Sequence, residues 1–176
     1  MHQRFAPRRI TYINKQMEEI FPIVNEDGTV VGKAPRSVCH NGSKLLHPVI
    51  HLHIYNKEGD LFLQKRSENK DIQPGKWDTA VGGHIDYGEE VEDALRREAR
   101  EELGVLQFEP VFVRRYLFES PIEKELVYSY RTVYDGPFSI DQVEVVEARF
   151  WSMTDIHANL GKGIFTPNFE QEFLMK

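Results

Sequence analysis

Cysteine is almost absent: the 176 residues contain one, Cys39. An internal disulfide framework and a CxxC metal knuckle are excluded, and a reducing cytoplasm is the expected compartment. Long apolar runs are missing as well. No stretch approaches the ~18 residues that span a bilayer, so no membrane partner is expected. Positive charge is in deficit, with 22 lysines and arginines against 28 aspartates and glutamates, a net of −6. That argues against duplex nucleic acid, whose binders present a basic face. Internal repeats and low-complexity tracts are also lacking. What remains has the length of one domain, with 40% hydrophobic and 11% aromatic residues, enough for a single core.

Residues 1–17 carry Arg4, Arg8, Arg9 and Lys15 without periodicity and are expected to form an N-terminal arm, with the domain over residues 18–176. Residues 20–24 and 29–32 flank a turn signal at 25–28 and predict a hairpin, followed by a loop at 41–43. Residues 49–55 set His51 and His53 on one strand face against Ile50, Leu52 and Ile54 on the other. A turn at 56–60 leads into a partner strand at 61–65. Residues 79–81 predict a short strand ending at Gly82 and Gly83, and residues 89–103 a helix stopped by Gly104. Further strands are expected near 111–118, 126–134 and 145–151, then a short helix near 154–159. A last helix starts with Thr166 as cap and Pro167 in first position. Strands interleaved with few helices imply an α/β or α+β sandwich around a mixed sheet.

The charge is unevenly placed. Residues 89–102 hold seven acids and three arginines, so four of the six net negative charges lie in fourteen positions. Glu98, Glu101 and Glu102 stand at i, i+3 and i+4 near the helix end, where they oppose the macrodipole. Like charges at that spacing repel by roughly 0.2–0.5 kcal/mol per pair. One such pair reads as a solvated face; three read better as ligands of a divalent cation, since hard cations take carboxylates together with substrate phosphates.

The surrounding residues run Gly83-x5-Glu89-x7-Arg97-Glu98-Ala99-x-Glu101-Glu102-x-Gly104-Val105. This resembles the Nudix box, GX5EX7REUXEEXGU with U bulky and aliphatic, at every fixed position; Ala99 is small for its U position. Strands on either side are similarly laid out, so the resemblance extends from about residue 18 to 176. It implies an α/β/α sandwich around a mixed β-sheet and hydrolysis of the pyrophosphate bond of a nucleoside diphosphate linked to another group. It implies a Mg²⁺ or Mn²⁺ cofactor held by Glu98 and Glu102, with Glu101 and a carbonyl of Gly82 or Gly83. By the same resemblance Arg97 pairs with Glu89 to orient the helix, these five box side chains being the catalytic set. Beside a diphosphate site, Arg66, Lys70 and Lys76 become candidate phosphate binders, whereas Trp77 reads as core. Glu125, Glu144 and Glu147 are candidates for a general base outside the box. A homodimer is a further expectation from the family.

A narrower pattern joins His40, His47, His84, Glu123 and Glu125. It is similar to the second metal site of type 1 isopentenyl diphosphate isomerase, a branch of the superfamily, with Arg66, Lys70 and Trp77 also in place. Three imidazoles with carboxylates suit Mn²⁺, Fe²⁺ or Zn²⁺. The isomerase pattern requires a cysteine where this chain has Gly82, and the complete box points to hydrolysis. The expectation is a hydrolase of the isomerase-like branch, with isomerisation as the alternative. His51 and His53 are left unassigned between a pocket wall and a buried polar network.

Overall fold

Alternating apolar and polar residues build the strands, and punctuation by Gly, Asn and Asp sets the turns between them. The computed structural model describes residues 18–70, 72–140 and 145–175. The arm expected over residues 1–17 and the candidate base Glu144 lie outside them. A hairpin of β1 (Ile20–Val24) and β2 (Val30–Pro35) turns at Gly28, whose φ of 88° favours glycine. A single helical turn, α1 (Arg36–Cys39), follows in a stretch for which the sequence predicts no element, ahead of the loop at 41–43. Four residues after a proline are too few to show helical periodicity. Then come β3 (Leu46–Tyr55), β4 (Leu61–Arg66), β5 (Trp77–Thr79) and β6 (Val81–His84). They lead to α2 (Val91–Leu103), the box helix, and on to β7 (Val111–Glu119), β8 (Lys124–Val133) and β9 (Val145–Trp151). The last elements are α3 (Met153–Asn159) and α4 (Pro167–Phe173).

The sheet is mixed. β3 and β4 pair antiparallel only near their shared turn, at Ile54 with Phe62 and Tyr55 with Leu61, and then splay apart. The segment expected as one short strand fills that fork by changing partners. β5 pairs with β4 (Leu63 with Thr79), whereas β6 pairs with β3 (Leu52 with Val81, His51 with Gly82). The switch falls at Ala80, which is fully buried. The Gly82–Gly83 pair is therefore inside the sheet rather than in the loop beyond it. β8 runs parallel to β3 on its other side, β7 pairs antiparallel with β8, and β9 with β4.

Helices cover both faces. Ile50, Leu52 and Ile54 of β3 pack with Ala94, Leu95, Ala99 and Leu103 of α2. Removing each such aliphatic side chain from water contributes roughly 1.5–3 kcal/mol, and Ala99, small for its box position, is fully buried in this contact. On the opposite face Leu61 and Leu63 meet Trp77, Trp151, Ile156, Phe165 and Phe169 beneath α3 and α4. Gly104 ends α2 in the left-handed region at φ 65°, its N–H on Arg100 O and that of Val105 on Ala99 O. Thr166 caps α4 by accepting from Phe169 N at 3.2 Å, with Pro167 in first position. No helix among the described residues is long and apolar enough to cross a membrane.

Candidate active site

Two elements position the box. β6 delivers Gly82, Gly83 and His84 from the sheet, and α2 projects its carboxylates over them. Glu98, Glu101 and Glu102 line one cavity of about 830 Å³ together with Gly82 and Gly83. Arg97 organises this side: Nε and Nη2 donate to the two Glu89 oxygens at 2.8 and 2.9 Å. Its Nη2 also donates to the His84 carbonyl at 3.0 Å, and Nη1 to Glu98 at 2.7 Å. That forked geometry is one only arginine provides, and the Arg97 hydrogen bond, outweighing burial, holds Glu89 below the usual carboxylate range. Glu102 is buried and accepts from Gln64 Nε2 at 2.7 Å, whereas Glu101 is half exposed. A β-carbon on Gly83 would collide with the Glu98 carboxyl, so this backbone and this carboxylate are packed face to face.

Of the basic candidates, Arg66 and Lys70 line the same cavity, joined by Arg36, which the sequence offered no reason to single out. Arg66 Nε donates to Ile72 O and its Nη1 lies 3.4 Å from Asp78. Lys76 lines neither this cavity nor its neighbour; it contributes its carbonyl, which accepts from Arg66 N. Glu147 sits on β9 beside Arg149 at 3.6 Å, outside both cavities.

A second, adjoining cavity of about 550 Å³ shares Arg36, Arg66, Gly82, Gly83 and His84 with the first and adds His40, Glu123 and Glu125. His40 arrives as the C-cap of α1, His47 on β3 and His84 at the end of β6. Potential donor atoms of the three rings lie within 4.8 Å of one another. Phe21 of β1 forms one wall, stacked on His84 with centroids 4.3 Å apart and on His47 at 5.6 Å. His47 Nδ1 is 2.9 Å from Leu45 O, which fixes its proton there. Its Nε2 is buried with no hydrogen-bond partner among the described residues. A buried imidazole nitrogen held bare and aimed at two other rings is the chemistry of a metal ligand. Burial, with Arg36 adding to it, keeps all three rings neutral: His40 falls to about 4, and His47 and His84 are lowered too. Glu123 Oε2 stands 3.5 Å from His40 Nε2. Glu125 lies opposite His47 in the β3–β8 register, and burial, reinforced by Glu123, raises its carboxyl to about 8.

Of His51 and His53, left open between pocket and network, both join a network with Glu172, and His51 also lines the second cavity. His51 Nδ1 is 2.7 Å from Glu172 Oε2, and His53 Nε2 is 2.8 Å from Glu172 Oε1, off the line of a hydrogen bond. Burial would neutralise both partners, but the pairing overrides it: His51 is lifted to about 9 and Glu172 held far below the usual carboxylate range. Nothing in the α4 sequence announced this. Cys39 is buried against Phe21 and Ala34 and lines neither cavity.

The model of the NUDIX domain matches residues 45–169. The chain is 32% identical to an uncharacterised Nudix hydrolase, lmo0368 of Listeria monocytogenes, over 87% of its own length and 90% of that protein. Its fold resembles the crystal structure of DR0079 from Deinococcus radiodurans with a TM-score of 0.76 at 24% identity, covering 88% of this chain and 96% of that one. An isopentenyl-diphosphate delta-isomerase of Mycolicibacterium vanbaalenii is 34% identical over 49% of this chain and 48% of that enzyme. The chain belongs to the Nudix family.

Proposed function

We propose that this protein is a divalent-metal-dependent hydrolase that cleaves the pyrophosphate bond of a nucleoside diphosphate linked to another group. The observation that carries this reading is the set of box carboxylates facing Gly82, Gly83, Arg36, Arg66 and Lys70 across one cavity. Glu98 and Glu102, with Glu101 and a glycine carbonyl, would hold Mg²⁺ or Mn²⁺, and the oxygen-only donor set fits such hard ions. Such an ion supplies charge neutralisation at phosphoryl oxygens and a more acidic water. The side chains do the rest. Arg36 and Arg66 offer forked donors to the diphosphate and Lys70 a point charge. Arg97, locked on Glu89 and the His84 carbonyl, keeps the loop and helix in register. Glu125, buried in the adjoining cavity that shares Arg36, Arg66, Gly82 and Gly83 with the first, is the candidate general base outside the box. The domain that does this is assigned to residues 18–176.

The test is a panel of nucleoside diphosphates, nucleotide sugars, dinucleoside polyphosphates and coenzyme A, scored for released product with Mg²⁺ and with Mn²⁺. Glu98→Gln and Glu102→Gln should each lower turnover by roughly 10²-fold or more while leaving the melting temperature near wild type. Full activity in both variants overturns the metal assignment.

The histidine cluster favours a second reading, that the chain lies on the isomerase-like branch and carries a second metal. The unpartnered His47 Nε2 and the adjacent Glu123 and Glu125 support it. Gly82, standing where that branch uses a thiol, weighs against isomerisation, and Cys39 does not reach the cavities. Protein purified without chelator or affinity tag should contain more than one metal per chain; a single exchangeable Mg²⁺ removes the second site. Proton exchange into isopentenyl diphosphate would replace hydrolysis as the leading activity.

A further inference from the structure

Glu125 is not held by its own strand alone. Asn168, on the first turn of α4, donates from Nδ2 to Glu125 Oε2 at 3.1 Å. The other end of the amide is held in turn: Asn168 Oδ1 lies 2.8 Å from the Tyr116 hydroxyl. Tyr116 Oη is also 2.9 Å from Glu172 Oε2, so one phenolic proton faces two oxygens. Glu172 is already engaged by His51 at 2.7 Å and sits near His53 at 2.8 Å, which leaves Asn168 Oδ1 as the acceptor with fewer other donors. With its oxygen turned to Tyr116, the amide must present its NH₂ to Glu125. One residue upstream of Pro167, Thr166 Oγ1 donates to Asp78 Oδ1 at 2.9 Å, and Asp78 Oδ2 lies 3.4 Å from Arg66. The start of α4 therefore touches the site at a carboxylate and behind a phosphate-binding arginine, and its far end is anchored in β3.

We propose that Asn168 is a positioning residue that fixes the orientation of the Glu125 carboxylate, and that Tyr116 locks the Asn168 amide for that purpose. The proposal rests on the reading of Glu125 as a member of the site. Hydrogen-bonded partners behind a ligand or base set its direction, and losing one commonly costs 10–100-fold in metal affinity or activity. An aliphatic side chain at 168 would leave Glu125 a buried carboxylate free to rotate. Aspartate at 168 has the same size and keeps an acceptor toward Tyr116, but it faces Glu125 with an oxygen in place of a donor.

The experiment is calorimetric titration of the full chain with Mn²⁺, alongside the hydrolase assay. Wild type should bind a second equivalent of Mn²⁺, and Glu125→Gln should weaken it. Asn168→Ala and Asn168→Asp should weaken that same equivalent by roughly 10–100-fold, leaving the box equivalent unchanged and the melting temperature within a few degrees of wild type. In hydrolysis the loss should fall on kcat, with KM within about two-fold. Tyr116→Phe should give a smaller loss that does not add to that of Asn168→Ala, because the two act through one amide. If both Asn168 variants bind Mn²⁺ and turn over like wild type while Glu125→Gln is impaired, the positioning role is overturned. If Glu125→Gln itself behaves as wild type, or wild type binds a single equivalent, the reading of Glu125 beneath the proposal fails instead.

Discussion

Two adjacent glycines show how differently single positions can be constrained. A β-carbon at Gly82 would lie 3.6 Å from the His51 ring, an ordinary contact, whereas at Gly83 it would strike the Glu98 carboxyl. Neither has the positive φ that penalises other residues. Gly82→Ala is therefore expected to melt within about 2 °C of wild type, since surface-like changes without a clash cost little. Gly83→Ala should also fold, because the far end of Glu98 can swing aside, but turnover should fall by roughly 10²-fold, the scale of a misplacement of about 1 Å. Thermal melts and steady-state assays on the pair separate the two effects. At this scale the sequence told much: the box spacing pointed to Gly83, Glu89, Arg97, Glu98, Glu101 and Glu102 together. Arg36 and Phe21 were illegible, because a lone arginine or phenylalanine carries no spacing, and only the fold brings them to His84.

Among the elements, α2 and α4 make opposite cases. α2 declared itself by apolar spacing, acids and a terminal glycine, and its left-handed cap can be tested directly. Gly104→Ala forces φ 65° on a β-carbon and presses it to 2.8 Å from Ser139 Cβ. The cost should be at least about 1 kcal/mol, read as a melting temperature lower by roughly 2–4 °C or more. α4 declared only its Thr166–Pro167 start; its contribution, Glu172 between two histidines, depends on β3 lying beneath it. That pair sets a pH dependence. His51 is raised from 6.5 to about 9 once its charge is paired, so its stabilisation is complete below about 6.5 and is lost as pH rises through about 9. His40 is lowered to about 4, so protonating it opposes folding increasingly as pH falls from about 6.5 toward 4. The His51 contribution should therefore lower the melting temperature as pH rises from about 6.5 to about 9. Glu172→Gln should cost about 3–5 kcal/mol by leaving a buried partner uncompensated, and should flatten the alkaline limb. An unchanged limb in that variant would place the titration elsewhere.

For the whole molecule, the net charge of −6 is a matter of arrangement more than of amount. Acids of α2 gather on the cavity with Gly82 and Gly83, while His40, His47 and His84 gather as neutral rings beside it. Cations that bind the folded chain alone should stabilise it by about 2.7 kcal/mol at one hundred times their dissociation constant. That corresponds to roughly 5–10 °C in melting temperature for a chain of this size. Mn²⁺ should give such a shift, EDTA should reverse it, and Glu98→Gln should diminish it; identical melts with and without Mn²⁺ would contradict this. The parallel pairing of β3 with β8 carries a further consequence, one of time. His47 meets Glu125 across strands separated by nearly half the chain, and contacts so distant in sequence demand a large loop to close before they repay it. His40, His47 and His84 must therefore wait, during synthesis, for the strand that supplies Glu123 and Glu125 and for the helix that steadies it. Activity is expected to emerge only after α4 has been synthesised.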